Sequence, residues 1–394
     1  MDEAKFRQLI SGETKGFGAT LSRWLLYVCS FVYGTVIWIR NICYDIKWFK
    51  PFEANCVVVS IGNLTTGGTG KTPVVSYVAN WFEREGFDVV IISRGYHQLE
   101  DNVNDEKLVL EKLCPGIPHI LNKNRVEAVK EAIEEFDADV VVLDDAFQHR
   151  RLARDLDIVL LDMSSPFGYD FLLPRGMLRE HPDGLQRAGL VMLTRVNQAS
   201  EEELEEVQQQ QRLLRDPKST EDDDDLLTVE VSFPPERFIN SRGASVDLEK
   251  LREEQIAAFC GIGNPDAFLQ SLENLELEVA YFQAFPDHHH YSEEELDRVA
   301  EAAREAGCTH LLTTLKDLVK IEKNRWDNLP LWAVATGIEF ENGQELLDDK
   351  LEDLADLIHK QREERAEQAE EDDNEDEEDE DYDEDEDEDD DDDD

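Results

Sequence analysis

"CVVVSIGNLTTGGTGKTPVVSYVANWF", residues 56–82, passes from an apolar, β-branched run through a glycine-rich turn into an amphipathic helical pattern. A strand ending at Ile61 and a helix opening near Pro73 put the turn at a helix N-terminus, where unpaired N–H groups and the helix dipole favour phosphate. Gly67, Gly68 and Gly70 let the backbone approach an anion and take positive φ. Lys71 is spaced to reach the β- and γ-phosphates of a nucleoside triphosphate, and Thr72 to offer its hydroxyl to Mg²⁺. Pro73 is tolerated in the first turn, where its missing N–H would have no partner. A P-loop carries Gly five places before its Gly-Lys-Thr, and here that place is Thr65. The strand–turn–helix context outweighs the departure. Thr65, Thr66, Gly67, Gly68, Thr69, Gly70, Lys71 and Thr72 are read as a nucleotide cradle.

Such a cradle needs a carboxylate for its metal at the end of a neighbouring strand. "DVVVLDDAFQHRRL" (139–152) supplies Asp144 and Asp145 at such an end. Two acids closing an apolar strand cannot both be buried ionised without a cation, which supports a Mg²⁺ role for the pair.

Around these two segments the same order recurs: apolar run, turn, helical pattern. Runs at 56–61, 88–93, 139–143, 157–161 and 189–194 are apolar throughout, as strands buried on both faces of a parallel sheet are. Helical patterns at 73–85 and 122–136 lie between them, so the expected fold is α/β, a P-loop-type doubly wound sheet. A Gln/Glu-rich stretch at 198–225 reads as a surface helix and then a loop. A second, smaller α/β series follows, with strands at 255–263, 278–285, 310–315 and 331–335. One of its helices opens at Pro265, and another starts at a capping box, Ser292 with Glu295. The expected organisation is an anchoring helix region (1–45), a P-loop domain (46–225), a smaller α/β domain (226–358) and an acidic tail (359–394).

Of the 25 residues 370–394, all but Asn374 and Tyr382 are acidic, so the net charge of −53 falls to about −30 for the body. A segment of almost pure carboxylate has no apolar area to bury and is expected to be disordered. An acidic body argues against nucleic acid as the main partner, because phosphate backbones are bound by clustered Lys and Arg. The six cysteines are scattered, with no C-x-x-C, which suits reduced thiols in a cytosolic setting. From Trp24 to Ile39 no charge occurs over sixteen residues. As a helix that run is about 24 Å long, short of the ~30 Å hydrocarbon core, though "KGFGATLS" before it can extend it. Trp24, Trp38 and Trp48 with nearby Tyr and Arg favour an interfacial or short inserted anchor.

Six stretches occur together and in order: "IGNLTTGGTGKTP" (61–73), "SRGY" (93–96), "LDDAFQHRRLARDLDIVLLD" (143–162), "LLPRGMLRE" (172–180), "GIGNP" (261–265) and "FPDHH" (285–289). In combination they resemble the tetraacyldisaccharide 4′-kinase family, over roughly residues 15–340. That family tolerates Ser or Thr at the first P-loop position. The resemblance implies an ATP- and Mg²⁺-dependent lipid kinase at the cytoplasmic face of the inner membrane of a Gram-negative-type bacterium. Its acceptor would be an acylated glucosamine disaccharide 1-phosphate, phosphorylated on the 4′-hydroxyl. The family's Gly-Asp-Glu-Pro segment falls on "NDEK", with Asn104 and Lys107 in place of Gly and Pro. Asp105 then corresponds to the general base, and Glu106 is its neighbour on the metal side. The family's Asp-His pair falls on Asp287 and His288. A sugar hydroxyl must lose its proton during attack, and a carboxylate helped by imidazole can take it. The family's substrate contacts correspond to Arg125, Gln148, His149, Arg179 and Glu180, and guanidinium groups suit a sugar phosphate. Arg94 stands at a further strand end, where open α/β sheets bind ligands. "VNDEK" itself reads as a polar loop above the carboxyl edge of the sheet.

"TLKD" (314–317) points elsewhere, because it resembles the element with which GTPases read guanine. It supports a rival reading, a membrane-associated GTPase or NTPase switch. Family members commonly carry Thr-Glu-Lys-Asp there, and the residues leave open whether Lys316 packs near the base or caps a strand. A non-catalytic scaffold on a decayed kinase fold is the other rival. Intact Lys71, Thr72, Asp105, Asp144 and His288 argue against it.

Overall fold

The computed structural model describes residues 3–95, 105–215 and 228–383. Tyr96 of "SRGY", Asn104 of "NDEK", the loop expected at 216–225 and the last acids of the tail lie outside them.

Two helices open the chain, α1 (Glu3–Ser11) and α2 (Phe17–Asp45). Then come β1 (Val57–Asn63), α3 (Lys71–Arg84), β2 (Val89–Ser93), α4 (Asp105–Leu113), β3 (His119–Leu121), α5 (Arg125–Phe136), β4 (Val140–Asp144), β5 (Leu156–Asp162), β6 (Leu190–Thr194), α6 (Glu201–Arg215) and β7 (Val229–Ser232). A second series holds β8 (Pro235–Ile239), β9 (Ser245–Asp247), β10 (Gln255–Cys260), α7 (Pro265–Asn274), β11 (Glu278–Ala284), α8 (Glu293–Glu305), β12 (His310–Thr314), α9 (Leu315–Leu318), β13 (Arg325–Trp326) and β14 (Leu329–Thr336). The chain ends in β15 (Glu339–Asn342) and α10 (Gln344–Asp383).

The first sheet has the order β15-β7-β6-β5-β1-β4-β2-β3 and is parallel except for β15, which runs antiparallel to β7. Strand β1 is buried at every position. Val57, Val59 and Ile61 pack on one face with Val74, Val78 and Phe82 of α3, while Val58 packs on the other with Ala128, Val129 and Ala132 of α5. Each such fully buried aliphatic side chain contributes ~1.5–3 kcal/mol, which is why the apolar runs become central strands. Strand order reverses on either side of β1, between β4 and β5, so the turn after β1 opens at the topological switch point.

The second sheet has the order β11-β10-β12-β14-β8-β9 with β13 beside β14, and α7 and α8 cover its two faces. The capping box of α8 forms as its sequence suggests, with Ser292 Oγ accepting from Glu295 N–H. Two short crossovers join the units, β7 to β8 and β14 to β15. They lie side by side, with Gly337 N–H donating to Pro234 O at 3.0 Å.

Two expectations differ from this structure. The chain does not stay in the second unit to residue 358: β7, β15 and α10 all belong to the first. Leu347, Leu351, Leu354 and Ile358 recur at helical spacing and bury themselves in the first unit's core. The tail does not become irregular at residue 359, since α10 runs on to Asp383. A helix already nucleated on a core is extended at the gain of one hydrogen bond per residue. Arg362 pins its middle by donating to Asp139 Oδ1 at 3.0 Å.

Helix α2 extends well beyond the charge-free run at both ends. One side of it docks on the first unit. Ser30 Oγ donates to Leu172 O at 2.7 Å, Tyr33 Oη to Arg179 O at 2.7 Å, and Asn41 Nδ2 to Glu180 Oε2 at 3.2 Å. The other side carries Phe17, Trp24, Phe31 and Trp38, all exposed and spaced every seven residues.

Candidate active site

The turn after β1 has the geometry expected of a phosphate cradle. Gly70 caps α3 in the left-handed region, φ 88°, and a side chain there would run into the Phe233 ring. Thr69 is buried, its hydroxyl accepting from Asn63 Nδ2 at 3.0 Å and its carbonyl from Thr194 Oγ1 at 3.0 Å. Arg195 Nη2 donates to Gly68 O at 2.7 Å, and Arg195 also pairs with Asp162. Thr66 N–H donates to Met177 O at 2.8 Å, and Thr65 bridges Leu178. The Thr65 position is thus tied into the 172–178 segment, where a Gly would have no side chain to bury.

Residues Gly67 to Thr72 line a cavity of about 750 Å³ that reaches across to Phe233, Ile262, Leu315 and Lys316. Arg94, Glu106, Asp144, Asp145 and Arg179 also line it. A second cavity, of about 560 Å³, lies between the cradle and α2. Tyr33, Ile37 and Arg40 of α2 line it together with Thr66, Arg94, Arg125, Gln148, His149 and Arg179. The two cavities share Arg94, Asp145 and Arg179.

Asp144 ends β4 opposite Ile61 of β1. Burial pushes its carboxyl up to about 6, against the pull of Lys71, and Ser93 Oγ donates to it at 3.3 Å. Asp145 follows in the left-handed region, φ 53°. Burial raises its pKa, but Lys71 Nζ at 3.5 Å and Arg179 Nη1 at 2.7 Å hold it below the usual carboxylate range. Arg125 is almost fully buried and donates to Asn122 O and Asp144 O. Burial, with Arg125, Arg154 and other guanidinium groups nearby, pushes His149 down to about 4, so its imidazole is neutral near pH 7.

Asp105 is the first residue of α4 rather than part of a loop, because the apolar residues Val109 and Leu110 dock that helix on the first unit's core side. His288 Nδ1 reaches it from the second unit, 3.1 Å from Asp105 Oδ2. Lys320 Nζ, also from the second unit, lies 2.9 Å from the same oxygen. Two expected site residues stand elsewhere. Asp287 is exposed, and its Oδ1 accepts from the backbone N–H of His288, which turns the loop and leaves Asp105 to the imidazole. Glu180 is fully buried and accepts from Gln148, Asn41 and Arg187, so it holds the wall of the second cavity without facing into it.

The three consecutive histidines diverge. His288 meets Asp105 and His289 meets Glu295 at 3.2 Å, and no cluster of three or more His, Cys, Asp or Glu able to hold a metal appears among the described residues. "TLKD" resolves as a helix cap. Thr314 is the N-cap of α9, and Asp317 is fully buried, accepting from Thr314 Oγ1 at 2.6 Å and from Gly261 N–H at 3.0 Å. An aspartate spent in this way is not available to read guanine. Lys316 does line the cavity over the turn after β1. Reasoning from sequence missed Lys320, Arg195 and Phe233. Arg195 alone carried a signal, a cation directly after the apolar run of β6.

Comparison with known proteins gives a consistent result. The family model described as tetraacyldisaccharide-1-P 4′-kinase matches residues 22–355. A tetraacyldisaccharide 4′-kinase of Anaeromyxobacter dehalogenans is 39% identical over 317 residues, covering 76% of this chain and 79% of its own. One from Syntrophus aciditrophicus is 36% identical over 315 residues, covering 75% and 84%. Among solved structures, the "apo" form of LpxK from Aquifex aeolicus in complex with ATP superposes with a TM-score of 0.66 at 28% identity, covering 85% of this chain and 99% of that one.

Proposed function

The chain belongs to the tetraacyldisaccharide-1-P 4′-kinase family, and from that premise we propose how its residues divide the reaction. It transfers the γ-phosphoryl group of ATP to the 4′-hydroxyl of a tetraacyldisaccharide 1-phosphate, a step of lipid A biosynthesis. The observation that carries the residue-level reading is the pair of cavities meeting at Arg94, Asp145 and Arg179. ATP takes the cavity over the cradle, and the disaccharide takes the one beside α2.

Gly67 to Thr72 present backbone N–H groups to the phosphates at the N-terminus of α3. Lys71 supplies positive charge where the γ-phosphoryl leaves its donor, and Arg179 and Arg94 supply it where the acceptor enters. Catalysis of this kind is mostly positioning and electrostatics. Asp105 accepts the proton of the 4′-hydroxyl, and His288 orients the carboxylate through Oδ2. Arg125, Gln148 and His149 line the acceptor side, with Glu180 fixing Gln148.

The residues present fit Mg²⁺. Asp144 is a buried carboxylate that burial disfavours in ionised form, a condition a divalent cation relieves. Thr72 and Asp144 would hold the ion with Glu106 nearby, and Asp145, already taken by Arg179 and Lys71, would not. Bound there, Mg²⁺ would neutralise charge on the β- and γ-phosphates.

The membrane is the second expected partner. With Ser30, Tyr33 and Asn41 tied to the body, α2 offers its Phe17-Trp24-Phe31-Trp38 stripe outward, which suits a helix lying in the interface better than one crossing it. The second cavity then opens beside the bilayer that holds the acyl chains.

Incubation with ATP, Mg²⁺ and a tetraacyldisaccharide 1-phosphate in detergent tests the reading. The lipid should gain one phosphate per ADP formed, and a phosphorus-proton correlation should place it on O4′. ADP formation with unchanged lipid, or phosphate at another hydroxyl, would overturn it.

A further inference from the structure

Two side chains, His288 and Lys320, converge on Asp105 Oδ2 across the gap between the units, and only His288 has so far been given work. Lys320 follows α9 by two residues, and its own N–H donates to Asp317 O at 3.1 Å, which closes the turn. Its ammonium is almost fully buried and faces three oxygens: Asp105 Oδ2 at 2.9 Å, His289 O at 3.3 Å and Asp317 Oδ1 at 3.7 Å. The contact with Asp105 is a hydrogen-bonded ion pair, His289 O takes a second proton, and Asp317 Oδ1 stands at ion-pair distance, so the ammonium is placed between the two units. Asp317 is itself immobile, held by Thr314 Oγ1 and Gly261 N–H inside the second unit.

We infer that Lys320 is a positioning residue for the kinase reaction: it carries the fixed geometry of buried Asp317 across to Asp105, so that the base is correctly set only when the second unit is seated on α4. Burying an ammonium is unfavourable unless it is paired and hydrogen-bonded, and Lys320 is matched here by one carboxylate from each unit. Neither aspartate alone explains the buried lysine. Together they make Asp105 Oδ2 the meeting point of a chain that runs from the second unit's core to the first unit's reacting edge. His288 approaches the same oxygen from the exposed side, so the two contacts restrain the carboxyl from two directions.

This inference rests on the reading that Asp105 takes the acceptor's proton, and the experiment separates the two. Lys320→Met should lower kcat by about ten- to a hundredfold with KM for ATP changed less than about threefold, because a misplaced base affects the transition state and not nucleotide binding. Lys320→Arg should recover most of the loss. In an Asp105→Ala background, Lys320→Met should have no further effect, since the group it positions is gone. A purely structural lysine would give the same fractional loss in both backgrounds, and that result, or wild-type kcat in Lys320→Met, would overturn the inference. If Lys320→Met leaves Asp317 uncompensated and fails to fold, Lys320→Met/Asp317→Asn removes the stranded charge and takes the same tests. Full activity in Asp105→Ala would instead overturn the assignment of the base.

Discussion

Arg179 Nη1 lies 2.7 Å from Oδ1 and 2.8 Å from Oδ2 of Asp145, at the point where the two cavities of the active site meet. Lys71 Nζ lies 3.5 Å from Oδ1 of the same carboxylate. Two cations and one anion thus stand where the two cavities meet, and in the proposed reaction the surplus positive charge serves the transferring group.

Removing Lys71 should separate its two roles. Lys71→Ala should lower kcat by about 10²–10³-fold, the scale of losing one charge-stabilising group, while the melting temperature moves little because Arg179 still pairs Asp145. Arg179→Ala should cost stability as well, about 1–3 kcal/mol, because a partly buried carboxylate loses its nearest partner. Adding Asp145→Asn to Arg179→Ala should return the stability and not the turnover. Turnover within about threefold of wild type in a folded Lys71→Ala protein would contradict the cradle.

Asp144 gives a pH dependence with a definite sign. Its pKa is raised by burial from 3.8 to about 6, so the folded state binds a proton more tightly than the unfolded chain. Its favourable contribution is complete below the unfolded pKa and is lost as pH rises through about 6. Asp144→Asn should accordingly stabilise the ligand-free protein near pH 7.5, by at most about 3 kcal/mol, and leave it unchanged near pH 3.5. Denaturant melts at the two pH values measure this. The same substitution should remove the response of the melt to Mg²⁺ with ATP.

What could be read from sequence divides along one line. Val57 to Ile61, the glycines of the turn and Asp144 are neighbours in the chain or occupy strands whose burial shows as unbroken apolar runs, so fold and cradle were legible. The partners of Asp105 lie about two hundred residues away on a second unit, and nothing in "LVK" distinguishes Lys320 from a surface lysine. Asp317 misled for a related reason: the letters of "TLKD" fit guanine recognition, and only the burial of the aspartate beneath Gly261 gives it to a helix cap. The family resemblance puts Glu180 among the substrate contacts, whereas Gln148, Asn41 and Arg187 surround it. The return of α10 to the first unit was missed because Leu347, Leu351, Leu354 and Ile358 promise an apolar helix face without saying which core receives it.

The outward stripe of α2 should govern membrane attachment without supporting the fold. Replacing Trp24, Phe31 and Trp38 together by Glu should abolish co-sedimentation with anionic phospholipid vesicles and raise the apparent KM for micellar lipid more than that for ATP. The melting temperature should hold, since these side chains are exposed and the docking contacts of Ser30, Tyr33 and Asn41 are untouched. Undiminished sedimentation would put the attachment elsewhere.

The proposed proton-accepting pair is the centre of the account, because it joins one residue from each unit. Asp105 comes from α4 and His288 from the loop after β11, and they meet at 3.1 Å. Groups that act on one proton as a unit are not additive when removed. The direct measurement is kcat for lipid phosphorylation in Asp105→Ala, His288→Ala and the double variant, with ATP affinity followed alongside. The account predicts a large loss of kcat in each single variant, ATP affinity close to wild type, and a double variant only slightly worse than the poorer single one. Losses that multiply in the double variant, or full turnover in Asp105→Ala, would contradict it.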